Sequence, residues 1–161
     1  AFSVIQMAEA YDVHHRRLGL FPDRAAAYGT DVRERLERAG SVGIGEYLAA
    51  CDQRLHLVAA LDEALAQVDV LLTPVNPCTP PRRNDPDHVT APDGTRQPFR
   101  DFIMGYTTPQ NLAGVPSVTL RAGTDDSGMP CGVQLTAGRG LELVALQLAE
   151  MLDREIGCRA S

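Results

Sequence analysis

Apolar and polar positions recur with two different periods along this chain, and the changes of period mark its elements. Val4, Ile5, Ala8, Tyr11 and Leu18 fall at helical spacing and predict an amphipathic helix ending near Gly19, broken by Pro22 and Asp23. Thr30 or Asp31 is placed to cap a second helix carrying Val32, Leu36 and Ala39, which Gly40 stops. The longest periodic segment runs from Glu46 to Val68, where Leu48, Cys51, Leu55, Val58, Leu61, Leu65 and Val68 form one stripe. A helix laid on the protein's own sheet is the expected use of that stripe. A coiled-coil seam is the alternative, over a run of only about three heptads. Residues 1–68 therefore read as helical. Over 69–73 the period changes: Asp69 closes the helix, and Val70 to Thr73 reads as a short strand, apolar on both faces as befits one covered by helices.

Residues 74–98 hold seven of the chain's eleven prolines and little apolar content, which predicts a loop with no packed element. Such a run is either a plain mobile excursion or a flank of a substrate entrance. Over 99–161 the pattern returns as helix, hairpin and helix. Phe99, Phe102, Ile103 and Tyr106 suggest a short helix, followed from Pro109 to Pro116 by a fixed irregular loop in which Gly114 can take φ > 0. Ser117 to Ala122 and Gly132 to Ala137 alternate with period two around a turn of Asp125, Asp126, Ser127 and Gly128, a β-hairpin pattern. Val118, Leu120 and Ala122, with Val133, Leu135 and Ala137, should make one apolar face. Leu141, Val144, Ala145, Leu148, Met151, Leu152 and Ile156 line one side of a last helix suited to cover it. The fold class expected is α/β: a small mixed sheet containing the Val70 strand and a C-terminal antiparallel hairpin, covered by amphipathic helices.

Composition narrows the partners. A net charge of −6, with basic residues no denser than the pairs Arg16-Arg17 and Arg82-Arg83, argues against nucleic acid. No apolar run has the length a bilayer requires, so no membrane association is expected. The start, AFSVIQMAEAYDVHH, has no basic region and is interrupted by Gln6 and Glu9, unlike a signal peptide; it lacks an initiator Met, a hint that the chain is a piece of something longer. Cys51, Cys78, Cys131 and Cys158 are far apart with no C-x-x-C, which points to reduced thiols and a cytoplasmic location rather than zinc or redox chemistry. His14, His15, His56 and His88 have no metal-ligand spacing, and neither metal nor cofactor is expected. One fact weighs more than these: all fifteen basic residues are Arg, and there is no Lys.

The run N-L-A-G-V-P, a strand, a Gly-containing turn and then G-x-P-x-G-x-Q, carried here by Asn111, Gly114, Pro116, Gly128, Pro130, Gly132 and Gln134, resembles the C-terminal portion of the amidase signature family. Asp69-Val70-Leu71-Leu72-Thr73-Pro74 resembles a strand of that family, and Val32 to Leu48 resembles one of its helix pairs. The resemblance covers nearly the whole chain and implies membership, over 1–161, in the larger α/β/α amidase fold. It also implies amide hydrolysis by a serine nucleophile, a second serine in a cis peptide bond and a lysine base, because a weak hydroxyl needs a base within reach and the oxyanion needs backbone donors. Neither the lysine nor the Gly/Ser-rich signature is present. Ser3, Ser41, Ser117, Ser127 and Ser161 include no G-G-S-S-G-like run and no G-x-S-x-G, so no catalytic residue is assigned and the chain alone is expected to be inactive.

What the resemblance leaves is a pocket wall for a small-molecule amide. In the family's tRNA-dependent amidotransferases an Arg on the first helix pair binds the glutamine carboxylate, and Arg35 is its match; an acidic residue before T-T-P-x-N-L-A-G binds the amino group, where this chain has Met104. A thioether cannot pair an ammonium, which argues for a less polar amide than glutamine. Gln110 and Asn111 sit in the turn, facing either the pocket or the loop's own backbone. The bland readings are a solvent-facing Arg35 and a core Met104. Gly138-Arg139-Gly140 reads as a strand-to-helix turn rather than a phosphate loop. Three readings remain: the C-terminal part of an amidase, a non-catalytic binding or scaffold module, and a piece of the A component of a tRNA-dependent amidotransferase. A half-fold exposes strand edges and apolar faces, from which a homo-oligomer is expected.

Overall fold

The computed structural model describes residues 1–126 and 128–159, so the expected turn role of Ser127 lies outside the described residues. The chain forms two compact units, residues 1–58 and 59–161.

In the first unit, α1 (Phe2–Tyr11) runs on into a π-helical turn over Asp12–Arg17 and ends at Gly19, whose φ of 59° only glycine adopts without cost. The wider turn rotates Leu18 off the expected apolar face, and it is exposed. The second helix, α2 (Thr30–Ala39), is capped by Gly29 rather than by Thr30 or Asp31, neither of which makes a capping hydrogen bond. Ile5 of α1 and Leu36 and Ala39 of α2 are buried. Around them the rings of Tyr11, His15, Phe21 and Tyr28 meet in stacked and edge-on pairs. His14, half-buried, has its Nδ1 2.9 Å from the Tyr28 hydroxyl, and His15, exposed to solvent, has its Nδ1 2.8 Å from the Phe21 carbonyl. The long helix α3 (Ile44–Leu65) matches the sequence in extent, yet its stripe stays open. Only Ala50 is buried, and Leu48 and Leu55 are 56% and 65% exposed. Helical periodicity marks a face and not its partner.

The second unit is built on a three-stranded sheet of β1 (Val70–Pro74), β4 (Ser117–Thr124) and β5 (Pro130–Ala137), with β5 in the centre. All its pairings are antiparallel, so the sheet is not mixed as the sequence suggested. β1 is an edge strand, which is why Leu72 is 59% exposed and not covered on both faces. Val118 faces Leu135, and Leu120 faces Val133, as the alternation predicts. A bulge between Arg121 and Gly123 then throws Ala122 out of the apolar face, and it is exposed. Helix α6 (Glu142–Arg159) packs along β4 and β5 through Ala145 and Ala149, both buried; Leu141 and Met151, assigned to its buried side, are exposed.

Residues 74–98 are not structureless. A small hairpin, β2 (His88–Thr90) and β3 (Arg96–Pro98), forms within them and buries Val89 and Ala91. Its turn is Ala91-Pro92-Asp93-Gly94-Thr95: Gly94 takes φ 83°, and Asp93 Oδ1 accepts from the Thr95 backbone N–H at 2.9 Å and its hydroxyl at 2.7 Å. The hairpin leads into α4 (Phe99–Ile103) and a 3₁₀ turn over Met104–Tyr106. The expected irregular loop after Pro109 is largely a helix, α5 (Thr108–Ala113), with Pro109 in its first turn, where a missing N–H costs nothing. Gly114 does take φ 67°, closing α5 in the left-handed cap.

Candidate functional site

Strand alternation divides the residues of β5. Val133, Leu135 and Ala137 go to one face; Gln134 and Thr136 go to the other, against the apolar composition of the strand. Register extends this polar face across the sheet, with Gln134 between Thr73 and Thr119, and Thr136 between Leu71 and Ser117. Gln134 and Thr136 are nevertheless buried, and the Gln134 side-chain amide donates to the Tyr106 carbonyl at 3.2 Å, which ties the Met104–Tyr106 turn to this strand. The Ser117 and Thr136 hydroxyls are 3.1 Å apart.

In the segment after that turn Gln110 is buried and Asn111, one residue on, is exposed. Both lie on α5 and not in a turn. The Asn111 backbone N–H donates to the Thr107 carbonyl, so the structural use imagined for its side chain is met by the helix itself. Met104 is half-buried in the 3₁₀ turn. Arg35 belongs to the first unit, where its guanidinium donates to Gln6 Oε1 at 2.9 Å and lines a cavity of about 190 Å³ with Met7, His14 and Val32. Met104 thus lies in the turn before α5 and Gln110 and Asn111 on α5 itself, the one buried and the other exposed, and Arg35 stands in a setting of its own.

Two buried oxygens on this polar side, Gln110 Oε1 and Thr73 Oγ1, have no hydrogen-bond partner among the described residues. Buried polar atoms are nearly always paired, so such orphans mark places where a donor is accommodated. Both can accept from an N–H. Sequence reasoning misses Gln134 and Thr73 as site residues; the signal is the Gln-x-Thr alternation inside an apolar strand. α5 itself is fixed from outside. Arg139 donates to the Ala113 carbonyl at 2.8 Å and to both oxygens of Asp62 at 2.7 and 2.8 Å, so the Gly138–Gly140 turn clamps the helix end.

Among the described residues no reactive group accompanies this wall. The Ser117 hydroxyl meets only that of Thr136, and burial pushes the Cys78 thiol up, the opposite of what an activated nucleophile needs. In the first unit a recess of about 730 Å³ is lined in part by Glu9, Asp12, Arg17 and Tyr47, but its charges are committed. Hydrogen bonds from Arg16 and then Arg17 hold the Asp12 carboxyl down at about 2, and the Tyr47 hydroxyl donates to Glu9 at 3.4 Å. Among the described residues no group of three or more His, Cys, Asp or Glu could hold a metal ion, and no helix is long and apolar enough to cross a membrane.

Comparison with known proteins supplies what geometry alone does not. The family model described as Amidase matches residues 10–144. The A component of a glutamyl-tRNA(Gln) amidotransferase from Picosynechococcus sp. is 32% identical over 137 residues, 81% of this chain and 27% of that protein. A fatty acid amide hydrolase from Medicago truncatula is 28% identical over 127 residues, 79% of this chain and 21% of that protein. A solved amidase superimposes with a TM-score of 0.82 and 29% identity, over 95% of this chain and 34% of its own. The chain thus spans between about a fifth and a third of the length of these relatives.

Proposed function

The chain belongs to the amidase family, and from that premise we propose that it is the C-terminal part of an amide hydrolase, supplying scaffold and one wall of the substrate pocket. The serine nucleophile, the cis-peptide serine and the lysine base come from residues outside these 161. The observation that carries this reading is an amidase match over residues 10–144 in a chain that contains no lysine. Met104, Gln110 and Asn111 are the residues assigned to that wall, and Arg35, in the first unit, is a substrate contact considered by itself. Gln110 Oε1, buried and without a partner among the described residues, is suited to the N–H of a small-molecule amide.

The test is an assay on simple aromatic and aliphatic amides. The 161-residue polypeptide is expected to show no turnover, and the same polypeptide preceded by its upstream coding region is expected to turn over. Hydrolysis by the short chain alone would overturn the reading. An upstream region without a Lys and a Gly/Ser-rich run would select the non-catalytic module instead. Identity to the A components of amidotransferases favours a second reading, a glutamine-using relative, against which Met104 weighs because its thioether cannot hold an ammonium.

A cytoplasmic setting agrees with the free thiols of Cys51, Cys78 and Cys131. Self-association of the isolated chain follows from its open apolar surface: Leu48 and Leu55 on α3, Leu72 at the sheet edge, and Leu143 and Leu146 on α6 are all exposed. Light scattering is expected to give a dimer or larger species, and a clean monomer at high concentration would count against it.

A further inference from the structure

The proline-rich segment builds a second, polar recess of about 330 Å³, formed wholly by residues within 79–96. Strand register puts His88, Thr90 and Arg96 on one face of the β2–β3 hairpin, since Thr90 pairs with Arg96 and His88 with Pro98. Asp85 faces them and joins them: its Oδ1 is 3.0 Å from His88 Nδ1, and its Oδ2 accepts from Arg96 Nη2 at 2.8 Å. Its backbone N–H donates to the Arg82 carbonyl at 3.0 Å, which brings Arg82 to the rim. The Arg82 guanidinium makes no hydrogen bond or ion pair to any described residue, although it lines the same space. Pro80 and Pro81 supply an apolar wall.

We propose that this recess binds a small organic carboxylate, its charged end on the Arg82 and Arg96 guanidinium groups and its short apolar body against Pro80 and Pro81. Charge decides the class. Two guanidinium groups, those of Arg82 and Arg96, line the recess against the single carboxylate of Asp85, an excess that a monoanion neutralises and a phosphate dianion overshoots. Hydrogen bonds from Arg96 and then His88 keep the Asp85 carboxyl below its usual range, so it stays ionised at neutral pH and goes on orienting both partners. Arg96 is thereby held in place before a ligand arrives, and Arg82 is the charge that the ligand gains. The proposal goes beyond amide hydrolysis and stands without it, because no residue of the pocket wall takes part.

The probe is sodium benzoate, titrated into the 161-residue chain at constant ionic strength and followed by the His88 ring and arginine Nε–H resonances. Inorganic phosphate and the neutral benzyl alcohol are run in parallel. Saturable shifts confined to residues 79–96 are expected with benzoate, and far weaker ones with the other two. Arg82→Gln, at an exposed position without a side-chain partner, should weaken benzoate about tenfold or more while leaving the circular dichroism unchanged. Arg96→Gln should do likewise. Unsaturable shifts, an Arg82→Gln variant that binds as the parent does, or phosphate or benzyl alcohol binding as tightly as benzoate would overturn the proposal.

Discussion

Leu135→Ala is expected to cost the second unit about 2–5 kcal/mol, measured as a fall in the denaturant midpoint at unchanged slope. Leu135 is 2% exposed on the central strand, between Leu72 on one neighbour and Val118 on the other. Removing its side chain forfeits the transfer energy of the buried methyls and leaves a cavity that a three-stranded sheet cannot wholly close. The lower half of the range is favoured by Leu72, which as an edge residue has room to lean inwards. Against a total stability of about 5–15 kcal/mol this is a large fraction. Leu143→Ala, on the open side of α6, should change the stability by no more than about 0.5 kcal/mol, and equal effects at the two positions would mean that β5 is not the centre of the core.

Gln110→Met carries the opposite sign. A buried oxygen without a partner costs about 1–3 kcal/mol, and a thioether of similar length removes that cost without opening a cavity. The variant is therefore expected to be more stable by roughly that amount, raising the melting temperature by about 2–4 °C per kcal/mol. In the protein carrying its upstream segment the same change should raise KM for the amide, because the acceptor for the substrate N–H is gone. A lower melting temperature would show that the oxygen is satisfied in the folded chain. Unchanged KM with a raised melting temperature would leave Gln110 out of the pocket wall.

These two positions also show what can and cannot be read from residue order. Leu135 is legible because a half-buried strand alternates with period two, and the hairpin follows from the same rule. Its bulge is not, since displacing Ala122 depends on how two strands meet and leaves no mark on one of them. α5 is hidden by length: six residues are too few to show a helical period, and Pro109 suggests a loop where it starts a helix. The β2–β3 hairpin is hidden by company. Pro92-Asp93-Gly94 is a turn signal, but six other prolines around it make the whole stretch read as loop.

The stripe on α3 is real but lacks the cover expected for it, because amphipathicity specifies a side and never what occupies it. For the site, what the sequence itself shows is the absence of lysine, and the expectation that the base lies on other residues rests on the resemblance. Gln110 emerges through the resemblance, though on a helix rather than in the turn expected. Thr73 and Gln134 escape notice because hydrophilic residues within a strand are ordinarily taken as its solvent side.

Six residues cannot sustain a helix in water by themselves, since nucleation costs more than two or three internal hydrogen bonds return. α5 persists on borrowed bonds: Gly114 and Val115 donate to the Gln110 carbonyl, and Arg139 holds that of Ala113. Unwinding it would take from Arg139 its bond to the Ala113 carbonyl. A molecule arriving at this segment therefore meets a stiff platform, with its ordering already complete, and little of the association energy is spent on freezing it.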